Sequence, residues 1–167
     1  MPGIRPIKLV STIICLVPIV LCFCLTATAQ NKTPKFKDYP VTEIFTGQVA
    51  SLVLTKNDTM FRTRLKEATK EKPNFAGNYI LTFWGCGSEC VMGAAIDAKT
   101  GKVYWLPDSI CCWGMDVDDK FNPIEYRLDS KLIVLSGERN EKKGDNGAHF
   151  YKFENGIFVH IKSIMKK

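Results

Sequence analysis

The chain is poor in the residues that carry most enzymatic chemistry. Its 167 residues include only two histidines, His149 and His160. No C-x-x-C pair opens a helix, no G-x-S-x-G elbow or phosphate loop is present, and neither paired carboxylates nor a metal-ligand cluster recurs at a catalytic spacing. These absences argue against a thioredoxin-type redox enzyme, an elbow-type serine hydrolase, a phosphate-loop nucleotidase and a dedicated metalloenzyme, so neither cofactor nor metal is expected. An arginine-rich run interleaved with aromatics is also missing, which removes the usual footprint of a nucleic-acid binder. The formal net charge is +6, of which Arg5 and Lys8 near the N-terminus supply two; the remaining excess is spread over 32–37, 62–72, Lys142 with Lys143, and Lys166 with Lys167, as a solvated exterior rather than one cationic face.

A long apolar run occurs once, at the start. Arg5 and Lys8 precede it over 9–25, and Ala27-Thr28-Ala29 offers small residues where a signal peptidase reads, so 1–29 is expected to be a signal peptide cleaved after Ala29. The rival is a retained anchor, because the run is near the lower length limit for crossing a bilayer. The A-x-A site and the polar Gln30-Asn31-Lys32 favour cleavage. Export to the periplasm or the exterior follows, with membrane contact only through this segment if it stays uncleaved. Residues 30–40, polar and holding Pro34 and Pro40, read as a flexible lead-in. The remainder, 41–167, is long enough for a single β-rich domain and too short for two.

The densest structural signal lies at 74–107. Aromatic and branched residues over 79–84, a permissive Gly85-Cys86-Gly87-Ser88 corner and an apolar run over 90–96 predict strand, corner, strand. Ala98-Lys99-Thr100-Gly101 then reads as a four-residue hairpin loop before a third strand over 102–106, stopped by Pro107. The motifs Asn74-Phe75-Ala76-Gly77-Asn78-Tyr79, Trp84-Gly85-Cys86-Gly87-Ser88-Glu89-Cys90, and Ile96-Asp97 with Thr100-Gly101-Lys102-Val103 together resemble a family of small exported bacterial proteins with no assigned activity. The likeness covers the middle of the chain and the export signal. It implies location and architecture, and carries over no catalytic residue.

Outside that region, 41–54 predicts one or two strands, with 50–54 the clearer. Asp58 or Thr59 can cap an amphipathic helix that buries Phe61, Leu65 and Ala68, with Met60 beside them, and ends before Pro73. Residues 108–122 read as irregular; their acidic Asp116-Val117-Asp118-Asp119 lacks the glycine and distal glutamate of a calcium loop. Lys131-Leu132-Ile133-Val134-Leu135-Ser136 predicts a central strand, and 137–147 a long, mobile charged loop. Asn155-Gly156 specifies a two-residue hairpin turn. In its register Tyr151 faces His160 and His149 faces Lys162, placing His149, Tyr151 and His160 on one side of the ribbon, expected to be a partly exposed sheet face. The predicted fold is α+β: a mainly antiparallel sheet built of hairpins with one packed amphipathic helix, stabilised by disulfides; a closed barrel is the alternative.

Four of the seven cysteines, Cys86, Cys90, Cys111 and Cys112, lie beyond the leader, an even count that predicts two disulfides in an oxidising compartment. Because the hairpin near Thr100 returns Cys111 and Cys112 toward Cys90, the expected pairing joins each of Cys86 and Cys90 to one of them. Two functional readings remain. The first is a non-catalytic domain that binds a protein, glycan or envelope component through an aromatic surface or the 137–147 loop. The second is a small hydrolase or thiol enzyme assembled from Cys86, Cys90, His149, His160 and Asp97.

Overall fold

In the computed structural model the described residues are 3, 32–114, 117–118 and 120–166. Apart from residue 3, the expected signal peptide 1–29 lies outside them. Thr33–Lys167 forms one compact unit. Its strands are β1 (Tyr79–Gly87), β2 (Cys90–Asp97), β3 (Val103–Trp105), β4 (Ile110–Cys111), β5 (Ile124–Tyr126), β6 (Leu132–Arg139), β7 (Gly147–Glu154) and β8 (Ile157–Met165), with one α-helix, α1 (Arg62–Ala68). Every pairing between them is antiparallel, in the order β1-β2-β4-β6-β7-β8, with β3 also on β2 and β5 also on β6. The sheet ends at β1 and β8, so the open α+β arrangement is observed and the closed barrel is not. Among the described residues no helix is long and apolar enough to cross a membrane.

Alternation along the strands divides the core. In β1, Leu81 faces inward opposite Ala95, while Ile80 and Trp84 point to the other side, opposite Ile96 and Met92. The inward set joins Ile133, Leu135, Tyr151 and Phe153 of the second half around Phe75, making the principal core. The outward set of β1 and β2 is covered by α1 through Leu65 and Ala68, with Phe61 alongside, as the helical spacing requires. On the far side of β6 and β7, Leu132, Val134 and Phe150 are covered by Phe36 and Tyr39. The two halves meet through β4, whose two residues pair with Cys90 and Val91 on one edge and with Glu138 and Arg139 on the other.

Several local expectations are corrected. Residues 36–40 are not a loose lead-in: Phe36–Asp38 is a 3-10 turn, and the Ser130 hydroxyl donates to the carbonyls of Phe36 and Tyr39 at 2.8 and 3.1 Å. Residues 41–54 form no strand. Their extended chain meets a turn rather than a strand, with Ala50 N–H donating to Ala98 O and Val53 N–H to Gly101 O. The helix begins earlier than expected, as a 3-10 stretch over Lys56–Phe61 with Thr55 at its cap, and Met60 is 86% exposed. The 137–147 segment is not a free loop either, since β6 runs on to Arg139 and Arg139 pairs with Asp145.

The resembling motif is spent on architecture. The Asn74 side chain donates to Leu81 O at 3.1 Å and accepts Leu81 N–H at 2.7 Å, a reciprocal pair that anchors the approach to β1. Asp97 accepts from Asn78, from Lys99 N–H and from the Thr100 hydroxyl, at 2.8, 2.9 and 2.8 Å, and so closes the β2–β3 turn. Gly101 ends that turn at φ +74, where an added Cβ would sit 1.9 Å from Ser51 O. Gly101→Ala is therefore expected to cost about 2 kcal/mol or more, read as a lowered urea midpoint at unchanged slope.

Candidate functional site

Two features remain after the fold has used its residues, and they adjoin. The first is a polar chain on the inner face of β6, β7 and β8. His149 is fully buried opposite Leu135. Its Nε2 lies 3.0 Å from both Gly137 O and Asp145 O, and its Nδ1 2.8 Å from Ser163 Oγ. Two carbonyls can only accept, so Nε2 carries the proton, and in the neutral ring Nδ1 accepts from the Ser163 hydroxyl. His160 Nε2, 2.9 Å from the same oxygen, then donates to it. One serine hydroxyl is thereby held between two imidazoles.

The sequence parity placed His149, Tyr151 and His160 on one face, and they share it. The register is not the expected one throughout. From the turn to Tyr151↔His160 it holds, then a bulge at Ile161 shifts the partner by one, so His149 faces Ser163 and not Lys162. Nor is the face partly exposed as expected: His149 and Tyr151 are 0% and 3% exposed because loop 140–146 and the segment around Asp108 fold over them, and only His160 reaches solvent.

Tyr151 carries the chain onward. Its hydroxyl donates to Asp108 Oδ2 and receives a 3.3 Å bond from Arg139 Nη1, and its ring meets His160 at 5.2 Å. Burial, then the hydrogen bond to Asp108, push its hydroxyl up to about 12, so it stays protonated and is not a base. Arg139 grips Asp145 through two bonds of 2.6 and 3.0 Å, which hold the Asp145 carboxyl below its ordinary range. Burial, with Arg139 and His149 nearby, lowers His160, which favours its neutral form. Every group in this chain has a protein partner. Arg139, Asp145, Asp108 and Ser163 were not singled out by sequence reasoning, because loop closure and a bulge bring them in.

The second feature is a mainly apolar cleft of about 350 Å³ lined by Trp113, Val117 and Phe121 together with Ile164, Met165, Gly137 and Gly147. Asn146, on its wall, donates to Cys112 O at 2.8 Å. The cysteine pairing differs from expectation: Cys86 joins Cys90, and Cys111 joins Cys112. The anticipated proximity is present, with Cys90 and Cys111 directly opposed across β2 and β4. Each bond nevertheless stays within its own segment, the first across a tight turn and the second across one peptide. The Cα separations are 5.1 and 3.8 Å, the latter below the ordinary disulfide span of about 4.4–6.8 Å.

Asp97, at the far end of β2, takes no part in either feature. Sulfurs of Cys111 and Cys112 and a Glu138 carboxylate oxygen lie within 4.8 Å of one another, the described residues best placed to hold a metal ion. Oxidised sulfurs offer no thiolate, so only reduction would turn that trio into ligands. Compared with protein-family models, with curated proteins and with solved structures, the chain matches none.

Proposed function

We propose that this chain is an exported, disulfide-stabilised binding domain that takes an apolar or aromatic part of a protein, glycan or envelope component into the Trp113–Phe121 cleft. The carrying observation is the cleft itself, an apolar, aromatic-walled concavity with a few polar groups at its margin, Ser136, Asn146 and Lys166. It sets the aromatic residues Trp113 and Phe121 beside the two ends of the 137–147 loop, Gly137 and Gly147. The apolar leader with its A-x-A site and the two disulfides support export. Pairing within the polar chain supports binding over chemistry: His149, Tyr151 and Asp145 are all engaged by neighbours.

Binding of the purified protein to a glycan array and to detergent-solubilised envelope proteins tests this. A buried aromatic anchor typically carries about 2 kcal/mol, so Trp113→Ala is expected to weaken the recovered interaction about 30-fold while leaving the far-ultraviolet circular dichroism unchanged. Equal binding by the variant contradicts the assignment of the cleft.

A second reading, a small hydrolase, rests on Ser163 held between His149 and His160. A fluorophosphonate probe separates the two. Labelling of Ser163 that is lost in His149→Gln favours the hydrolase, and no labelling leaves the binding domain.

A further inference from the structure

We propose that the four cysteines form a thiol–disulfide exchange site for a dithiol partner, in which Cys111 passes from Cys112 to Cys90. The arrangement of buried and exposed sulfurs points to it. Cys90 and Cys111 are 7% and 2% exposed, whereas Cys86 and Cys112 are exposed. Each disulfide therefore ties one inner sulfur to one outer sulfur. The two inner residues are direct antiparallel partners, and such partners project to the same face with Cβ atoms about 4.5–5.5 Å apart. A cross-strand Cys90–Cys111 bond is thus the alternative that the sheet already holds in register. Two further features direct attack to the other bond first. Cys112 is exposed and left-handed at φ +55, a conformation disfavoured for a residue with a Cβ, and its disulfide closes a ring across a single peptide.

The chemistry balances with the partner's two thiols. A thiolate of the partner attacks Cys112 Sγ, forming a mixed disulfide and expelling Cys111 as a thiolate. Cys111 attacks Cys90 Sγ, forming Cys90–Cys111 and expelling Cys86, which takes a proton. The partner's second thiol attacks its own sulfur in the mixed disulfide and releases Cys112, which takes the other proton. The partner leaves oxidised by two electrons. The domain retains one disulfide and gains thiols at Cys86 and Cys112. Because Trp113 follows Cys112, opening that ring releases one wall of the cleft; the exchange itself does not depend on what the cleft binds.

The test is site-resolved. The whole protein is treated with stoichiometric dithiothreitol, quenched in acid, alkylated and mapped by mass spectrometry. The two-electron-reduced species is expected to carry label on Cys86 and Cys112 and to retain a Cys90–Cys111 cross-link. Label on Cys111 and Cys112 with Cys86–Cys90 intact, label on Cys86 and Cys90 with Cys111–Cys112 intact, or resistance to reduction in the folded state overturns the proposal. As a second arm, the Cys86→Ser/Cys112→Ser variant is exposed to oxidised dithiothreitol. It is expected to form the Cys90–Cys111 bond, and persistence of both thiols contradicts it.

Discussion

Phe75→Ala is expected to remove about 3–5 kcal/mol of folding stability, the range for truncating a buried aromatic, and thereby a large share of the 5–15 kcal/mol typical of a domain. Phe75 is fully buried and lies between the halves of the sheet, with its ring 5.5 Å from Phe153 and 6.3 Å from each of Tyr126 and Phe158. Its backbone bridges Tyr79, so the ring cannot follow a collapsing cavity without moving the start of β1. Chemical denaturation read by tryptophan fluorescence gives the loss directly. A loss below about 1 kcal/mol would mean that the halves do not share one core, since truncation costs that little only at sites that can collapse. Phe75→Leu, which keeps most of the volume, should recover much of the difference.

The second large effect is expected at Asp58. Only 3% exposed, its carboxylate accepts Thr55 N–H at 2.6 Å, the Thr55 hydroxyl at 2.7 Å and Trp105 Nε1–H at 2.8 Å. It therefore caps the start of the helical segment and fastens it to β3, beside the cluster of Phe61, Trp84 and Trp105. Asp58→Ala strands those donors, with an expected cost of about 3 kcal/mol from unmet hydrogen bonds and the lost cap. Burial raises the carboxyl, but the bonds from Thr55 and Trp105 outweigh it and leave Asp58 below its ordinary value. The sign follows from that depression. Asp58 contributes stability above the unfolded carboxyl value of about 3.9, and the contribution is lost as pH falls through the lower, folded value. Asp145, depressed chiefly by Arg139, acts in the same direction. Between pH 5 and 2, wild-type stability should fall more steeply than that of Asp58→Asn. Parallel profiles would contradict this account of the cap.

Much of the sheet was legible because its signals are local. Asn155-Gly156 takes φ +53 and +77, as a two-residue hairpin turn demands, and the three strands around Gly101 follow from their apolar runs and turn residues. Parity alone put His149, Tyr151 and His160 together. What escaped depends on partners far along the chain. Ile161 carries no mark of a bulge, yet that one residue hands His149 to Ser163. β4 is two residues long and exists only because β2 and β6 flank it. The cysteine pairing was misjudged for a related reason: spacing foretold that Cys90 and Cys111 would meet, but closeness between strands does not decide which bond forms when each sulfur also has a partner within its own turn. Arg139 and Asp145 read as loop charge until β6 extends and brings them into a bidentate pair.

The most direct test of the account is peptide mapping of the untreated protein under acid, alkylated without reductant. The account predicts no label on Cys86, Cys90, Cys111 or Cys112 and two local links, Cys86–Cys90 and Cys111–Cys112. An alkylated cysteine among these four, or a link joining the two segments in the untreated protein, contradicts it.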